Sequence, residues 1–263
     1  MLLGAGGVSP RFSAAALAWV LAAACITGCA AREQAVAPVD PPASARPPIG
    51  NPPDPGPAPP HHGLDDDLLA AVTASTVHVG GIACGRSTKG SGFAVAADLI
   101  ATSAHTIVGL DEATISGLEG LSMRAVPVAF DAENDLALLK VDSAVFEPLP
   151  LGSAVADDTV GALMAWEDPE TPDPTPFRID RPLTLRIAAV ESDEQVERKS
   201  WLMAAEVELG DSGAALVDAD GTVLGVAFAS TRRDDAVGYA TRASELEALL
   251  AQGPDPNTAV PDC

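Results

Sequence analysis

Between residues 75 and 241 the chain alternates short apolar runs with turns rich in Gly, Asp and Asn. Runs of four to eight residues bounded by such turns are a strand signal rather than a helix signal. The pattern predicts a first set of strands over 75–83, 91–96, 99–103, 114–117, 123–130 and 136–141. A second set follows over 159–166, 177–190, 201–207, 214–217, 223–229 and 237–241. Helical spacing occurs at the two flanks. Asp65 can cap a short helix running to Val72, and residues 243–251 are apolar at helical intervals. The acidic, proline-bearing stretch 167–176 reads as an exposed loop. Many short strands with turn residues between them imply an all-β barrel or sandwich, with no solenoid repeat.

Composition sharpens this picture. Aromatic residues are 4% of the chain, so Val, Ala, Leu and Ile must fill the core. The net charge of -22 excludes phosphate-backbone binding, which needs clustered Lys and Arg, and argues against electrostatic adhesion to anionic lipid. Upstream of the strands, eleven prolines between Pro38 and Pro60 leave little room for helix or sheet. An extended spacer is expected there. His61 and His62 stand side by side in it, and no metal site is expected from them.

The chain opens with Arg11 followed by an apolar run from Phe12 to Ile26, the pattern of a secretory signal. That run ends in Ile26-Thr27-Gly28-Cys29, which resembles the bacterial lipobox. The resemblance implies a signal peptide over 1–28, a lipidated Cys29 opening a linker over 29–63, and a folded domain over 64–263. Several acyl chains on such a cysteine give stable anchoring. A bacterial envelope location follows, facing the periplasm or the exterior. Cys25 leaves with the signal, so Cys84 and Cys263 remain in an oxidising compartment and are expected to pair.

Three stretches carry candidate chemistry. Ala101-Thr102-Ser103-Ala104-His105 brings a histidine to the end of an apolar run. Asn134-Asp135-Leu136-Ala137-Leu138 sets an aspartate at the mouth of a buried strand, and Gly210-Asp211-Ser212-Gly213 flanks a serine with glycines. A serine hydroxyl is a weak nucleophile until an adjacent imidazole accepts its proton. The imidazolium that results needs a buried carboxylate to fix its tautomer and charge. Backbone N–H groups at Gly210 and Ser212 would receive the developing oxyanion. Asp131 is the rival to Asp135 but fits better as the residue that starts the turn. His78 falls in the first strand, and Ser91 reads as a glycine-flanked barrel turn.

Together these stretches resemble the trypsin-like serine proteases, most closely their bacterial HtrA-like branch, over about residues 72–250. Gly90-Ser91-Gly92-Phe93 and Gly221-Thr222-Val223-Leu224-Gly225-Val226 match as well. The resemblance implies two antiparallel six-stranded β-barrels, over about 72–155 and 156–241, and a C-terminal helix over 242–251. It implies a His105–Asp135–Ser212 triad, an endopeptidase acting on protein or peptide substrates, and neither metal nor cofactor. Glu206, six residues before the serine, falls near the base of a primary specificity pocket, where a carboxylate would select Lys or Arg. If Glu206 turns outward, Val207 and Leu209 line that pocket and favour small or apolar side chains. Ala227, Phe228 and Ala229 would pair with substrate backbone as an added strand. No PDZ segment is expected after the helix, and no freed N-terminus is expected to organise Asp211. The alternative reading is a protease-fold lipoprotein that binds without cutting.

Overall fold

The run Leu136-Ala137-Leu138-Leu139 shows no polar alternation because both of its faces are buried. Leu136 and Leu138 pack in one apolar cluster, while Ala137 and Leu139 pack in another. A strand covered on both sides reads as continuously apolar. That single strand marks the plan of the molecule, in which one face looks into a barrel and the other onto a second barrel.

A computed structural model describes residues 54–142, 146–156, 158–230 and 236–263. The apolar leader, Cys29 and the first part of the proline tract lie outside them. Among the described residues no helix is long and apolar enough to cross a membrane. Strands β1 (Thr76–Ala83), β2 (Arg86–Ala96), β3 (Leu99–Thr102), β4 (Ala113–Gly117), β5 (Leu121–Asp131) and β6 (Leu136–Val141) close one antiparallel barrel in the order β1-β2-β3-β6-β5-β4. Strands β7 (Val160–Trp166), β8 (Pro172–Ala188), β9 (Gln195–Ala205), β10 (Ala215–Asp218), β11 (Val223–Ser230) and β12 (Val237–Arg242) close the other, in the order β10-β11-β12-β9-β8-β7. The expected pair of six-stranded barrels is the fold found.

Val77, Val79, Ile100, Ile115 and Leu139 fill the first barrel, and Leu163, Phe177, Met203 and Leu216 fill the second. Between the barrels, Phe93, Leu99, Leu136 and Leu138 meet Ala162, Met164, Val217 and Val226. Helix α1 (Asp66–Ala74) seals this seam with Val72, and helix α2 (Ala243–Gln252) seals it with Leu246 and Leu249. Asp65 caps α1 as expected, its carboxylate accepting the Leu68 N–H at 2.8 Å.

Four stretches depart from the sequence reading. The stretch 167–176 is not all loop, because β8 already begins at Pro172 and pairs with β7 as far as Trp166. Pro172, Pro174 and Pro176 share one parity, so their N–H-less nitrogens line the same edge. β9 pairs with β8 only from Phe177 onward, so that edge is left without a strand partner among the described residues. The N-terminal halves of β2 and β9, Arg86–Lys89 and Gln195–Lys199, are also strand, although polar and half-exposed. Finally, the end of the proline tract lies against the second barrel: Pro55 is buried and its carbonyl accepts from Arg178.

Cys84 and Gly85 both take positive φ, 54° and 71°, in the two-residue turn joining β1 to β2. Such a turn matches strand twist and suits glycine. Cys84 is disulfide-bonded to Cys263, with Cα atoms 5.8 Å apart, as expected. The C-terminal segment is further held by Gly109 N–H donating to the Pro261 carbonyl at 2.9 Å.

Candidate active site

His105 sits in a single turn of 3-10 helix (Ala104–Thr106) directly after β3. Asp135 closes the turn between β5 and β6 in a left-handed conformation, φ 56°, which Asp tolerates better than most residues. Asp131 starts that turn, as expected: its carboxylate accepts from the Asn134 backbone N–H at 2.9 Å and from the Asn134 amide at 2.8 Å. Asp135 is thereby aimed at His105. Its Oδ2 accepts from His105 Nδ1 at 2.8 Å and its Oδ1 accepts the His105 backbone N–H at 2.9 Å. Two bonds from one residue fix both the ring and its carrier.

Asp135 is 3% exposed. Burial alone pushes its carboxyl up. The charge and hydrogen bonds of His105, with the Arg198 guanidinium 3.5 Å from Oδ2, outweigh that and hold it at about 2. The carboxylate therefore stays ionised across the physiological range. Nε2 of His105 is left for another partner.

Ser212 is carried by the loop before β10, with Gly210 at φ 119° and Gly213 at φ 89°. Gly213 can only be glycine. A Cβ there would run into the Ser91 carbonyl and the Thr102 hydroxyl and lie 3.0 Å from Ser103 N, so the loop rests directly on the strands leading to His105. Gly90 is flanked by Thr106 and by the Ser212 carbonyl, each within 2.8 Å of where its Cβ would be. The Ser212 carbonyl accepts from Ser91 N at 2.8 Å, and Gly213 N donates to Ala227 O at 2.8 Å. Asp211 N and Ala214 N also donate within the loop region. Gly210 N and Ser212 N have no hydrogen-bond partner among the described residues. No bond joins the Ser212 hydroxyl to His105 among them either.

Ser91 is not the turn residue the sequence suggested. It lies inside β2, fully buried, and its hydroxyl donates to Gly210 O at 2.9 Å while accepting from Trp166 N at 2.8 Å. A small polar residue is required there because the Ser212 loop packs on it. His78, in β1 as expected, is buried at 8% exposure.

The expected pocket residues separate. Glu206 is exposed, and Val207 turns inward, with its methyl group 2.8 Å from where a Gly238 Cβ would stand, beside Met203. Leu209 is 58% exposed and lines no interior wall. Strand alternation stops at Ala205, and Glu208 N–H donates to the Asp211 carboxylate at 2.8 Å, which turns the chain. Phe228, expected to pair with substrate through its backbone, lies in β11. The register shift between Ala227 and Ala229 puts its ring in a cluster with Leu185, Leu202 and Tyr239, under the guanidinium of Arg198. Ala229 pairs with Tyr239 of β12. On its other edge β11 pairs with β10 only to Val226, after which Ala227 N donates to Ala214 O at 2.9 Å and Ala227 O accepts from Gly213 N at 2.8 Å.

Arg198 is the residue that sequence reasoning missed. In β9 the odd positions Gln195, Glu197 and Lys199 are exposed and the even positions Val196, Arg198 and Ser200 are buried. Shared parity with Val196 was the available signal.

The model for the trypsin-like peptidase domain matches residues 90–226. The chain belongs to the trypsin-like peptidase family. It is similar to serine protease Rv3671c of Mycobacterium tuberculosis, 30% identical over 195 residues that cover 72% of this chain and 48% of that protein. A probable periplasmic DegP-like serine endoprotease of Halomonas elongata is 31% identical over 146 residues, covering 54% of this chain and 29% of its own. The chain thus spans about half or less of the curated relatives it matches. Among solved structures, the active form of the Rv3671c protease superposes with a TM-score of 0.73 at 27% identity, covering 79% of this chain and 93% of that one. Its inactive form gives 0.64, covering 75% and 97%.

Proposed function

We propose that the protein is a serine endopeptidase in which Ser212 attacks the scissile carbonyl, His105 accepts its proton and Asp135 holds the imidazolium. The observation that carries this reading is the bonded His105–Asp135 pair set against a glycine-flanked serine loop whose Gly210 and Ser212 N–H groups have no described partner. Two such donors are what a tetrahedral oxyanion requires, and each typically contributes about 2.7–4 kcal/mol. The greater likeness to the active than to the inactive form of the mycobacterial relative supports a built site. The substrate enters as an extended strand along Phe228–Ser230, on the edge of β11 that β10 does not cover. An inward Val207 and an outward Glu206 favour small or apolar side chains before the cleaved bond. Because His105 must be neutral to act as base, activity is lost when the ring is protonated at acid pH. Substrates are proteins of the cell envelope, where Cys29 holds the chain by its lipid.

Fluorophosphonate labelling of the purified chain beside Ser212→Ala tests the reading. Labelling that vanishes in the variant supports it. A folded wild-type protein that takes no label would favour a binding role for the same fold.

A further inference from the structure

Arg198 is fully buried, yet both of its neighbours on β9 are exposed. Its guanidinium is held on every side. Nε donates to Glu133 O at 2.8 Å, Nη2 reaches Ala132 O at 3.5 Å, and the plane lies 4.7 Å from the centre of the Phe228 ring. The remaining nitrogen, Nη1, makes no hydrogen bond among the described residues and lies 3.5 Å from Asp135 Oδ2. The apolar cluster around it, Leu185, Ile187, Leu202 and Phe228, would accept a hydrophobic side chain of similar length. A buried charge retained in such a place calls for a partner that needs it.

We propose that Arg198 is a positioning residue that fixes the Asp135 carboxylate from behind and, by its charge, keeps the His105 ring neutral to lower pH than an Asp–His pair alone would allow. This rests on the reading of His105 as the base. A lone carboxylate at 2.8 Å strongly favours the imidazolium, so an Asp–His pair by itself pushes the base toward a protonated, idle form. A cation on the far side of the carboxylate cancels part of that field. Among the described residues, few charged groups face this chain. Asp135 meets the ring directly, Arg198 comes from β9, and Asp131 at the end of β5 opposes Arg198. The Tyr239 phenol of β12, in the same cluster, is pushed further up by burial and stays neutral. Arg198 Nη1 and His105 Nδ1 approach the same oxygen, Asp135 Oδ2, at 3.5 Å and 2.8 Å, close enough for a unit charge to move a titration by about one pH unit or more at a typical effective dielectric.

The test uses the whole chain as wild type, Arg198→Met, Arg198→Lys and the exposed control Arg181→Gln. Two quantities are followed against pH: the second-order fluorophosphonate labelling rate, and the His105 Nδ1 proton resonance, identified by its loss in His105→Ala. In Arg198→Met the acid limb and the resonance midpoint should both rise by about one unit. Arg198→Lys should keep both within a few tenths while its plateau rate falls, because the charge remains and the fork is lost. Arg181→Gln should move neither. If Arg198→Met does not fold, Arg198→Gln is read in the same way. Equal loss of plateau rate in the Met and Lys variants, with limb and resonance unmoved, would overturn the proposal and leave Arg198 as packing. A wild-type chain that takes no label fails the proposed activity instead, and the resonance midpoints then decide Arg198 on their own.

Discussion

Asp211, the residue beside the proposed nucleophile, is 2% exposed and accepts one hydrogen bond, from Glu208 N at 2.8 Å. No cation pairs with it among the described residues, and Asp173, Glu167 and Glu208 add negative charge around it. Burial first, then those neighbours, push its carboxyl up to about 7 against the opposing Glu208 bond. In the unfolded chain an Asp titrates near 3.9. The folded state therefore holds a proton that the unfolded state has released across the window from about 4 to 7. Stability from this group is fully present below that window and is lost as pH rises through it. At about 1.4 kcal/mol per unit, the loss is of order 4 kcal/mol by pH 8. Asp211→Asn cannot ionise and keeps an oxygen for the Glu208 N–H. The variant should match wild type near pH 4, gain steadily above it and exceed it by a few kcal/mol at pH 8. Urea unfolding of both proteins at pH 4.5, 6 and 8 measures the difference. A difference that does not change with pH, or a variant less stable at pH 8, would refute the reasoning and mean that a cation pairs with the Asp211 carboxylate.

Two other perturbations separate geometry from adhesion. Ser91→Ala strips a partner from Gly210 O and from Trp166 N, both buried, at about 1–3 kcal/mol for each orphaned group. Its labelling plateau should fall while the acid limb stays put, and an unchanged plateau would show that Ser91 does not hold the loop. Cys263→Ser opens a covalent loop of 179 residues, which the chain-entropy model values at about 5 kcal/mol. Its unfolding midpoint should drop to that of the reduced wild type, and equal midpoints for oxidised and reduced wild type would exclude a stabilising bond.

Strands that bury apolar residues on one or both faces were legible in the sequence nearly to the residue, as β6 and β7 were. Missed were the strand segments with little apolar content. Arg86–Lys89 and Gln195–Lys199 are strand because their backbones complete barrels, and nothing in their own composition announces it. Pro172–Pro176 misled for the opposite reason, since its prolines are tolerated at a one-sided edge. His105, Asp135 and Ser212 stood out because their neighbours must be small, apolar or glycine for the strands to deliver them. Arg198 did not, because its charge looks like a surface residue until its parity with Val196 is counted. The direction of Phe228 depends on a bulge between Ala227 and Ala229, and a bulge leaves no hydrophobic signature.

The candidate site straddles the two barrels, and two kinds of interaction hold them together. Phe93, Leu136, Met164 and Leu246 bury a broad apolar seam, which supplies adhesion but little direction. Directional bonds gather at the site. Ser91 binds Ser212, Gly210 and Trp166, Ser103 Oγ donates to Ala227 O at 2.9 Å, and Thr241 Oγ1 donates to Asn134 O at 2.8 Å. Arg198 adds its bond to Glu133 O from the second barrel to the turn that aims Asp135. A shift of a few tenths of an ångström costs an apolar seam little, whereas hydrogen bonds weaken steeply with distance and angle. The distance between a histidine on one barrel and a serine on the other is therefore set by these polar stitches, and the seam only keeps the barrels close enough for them to form.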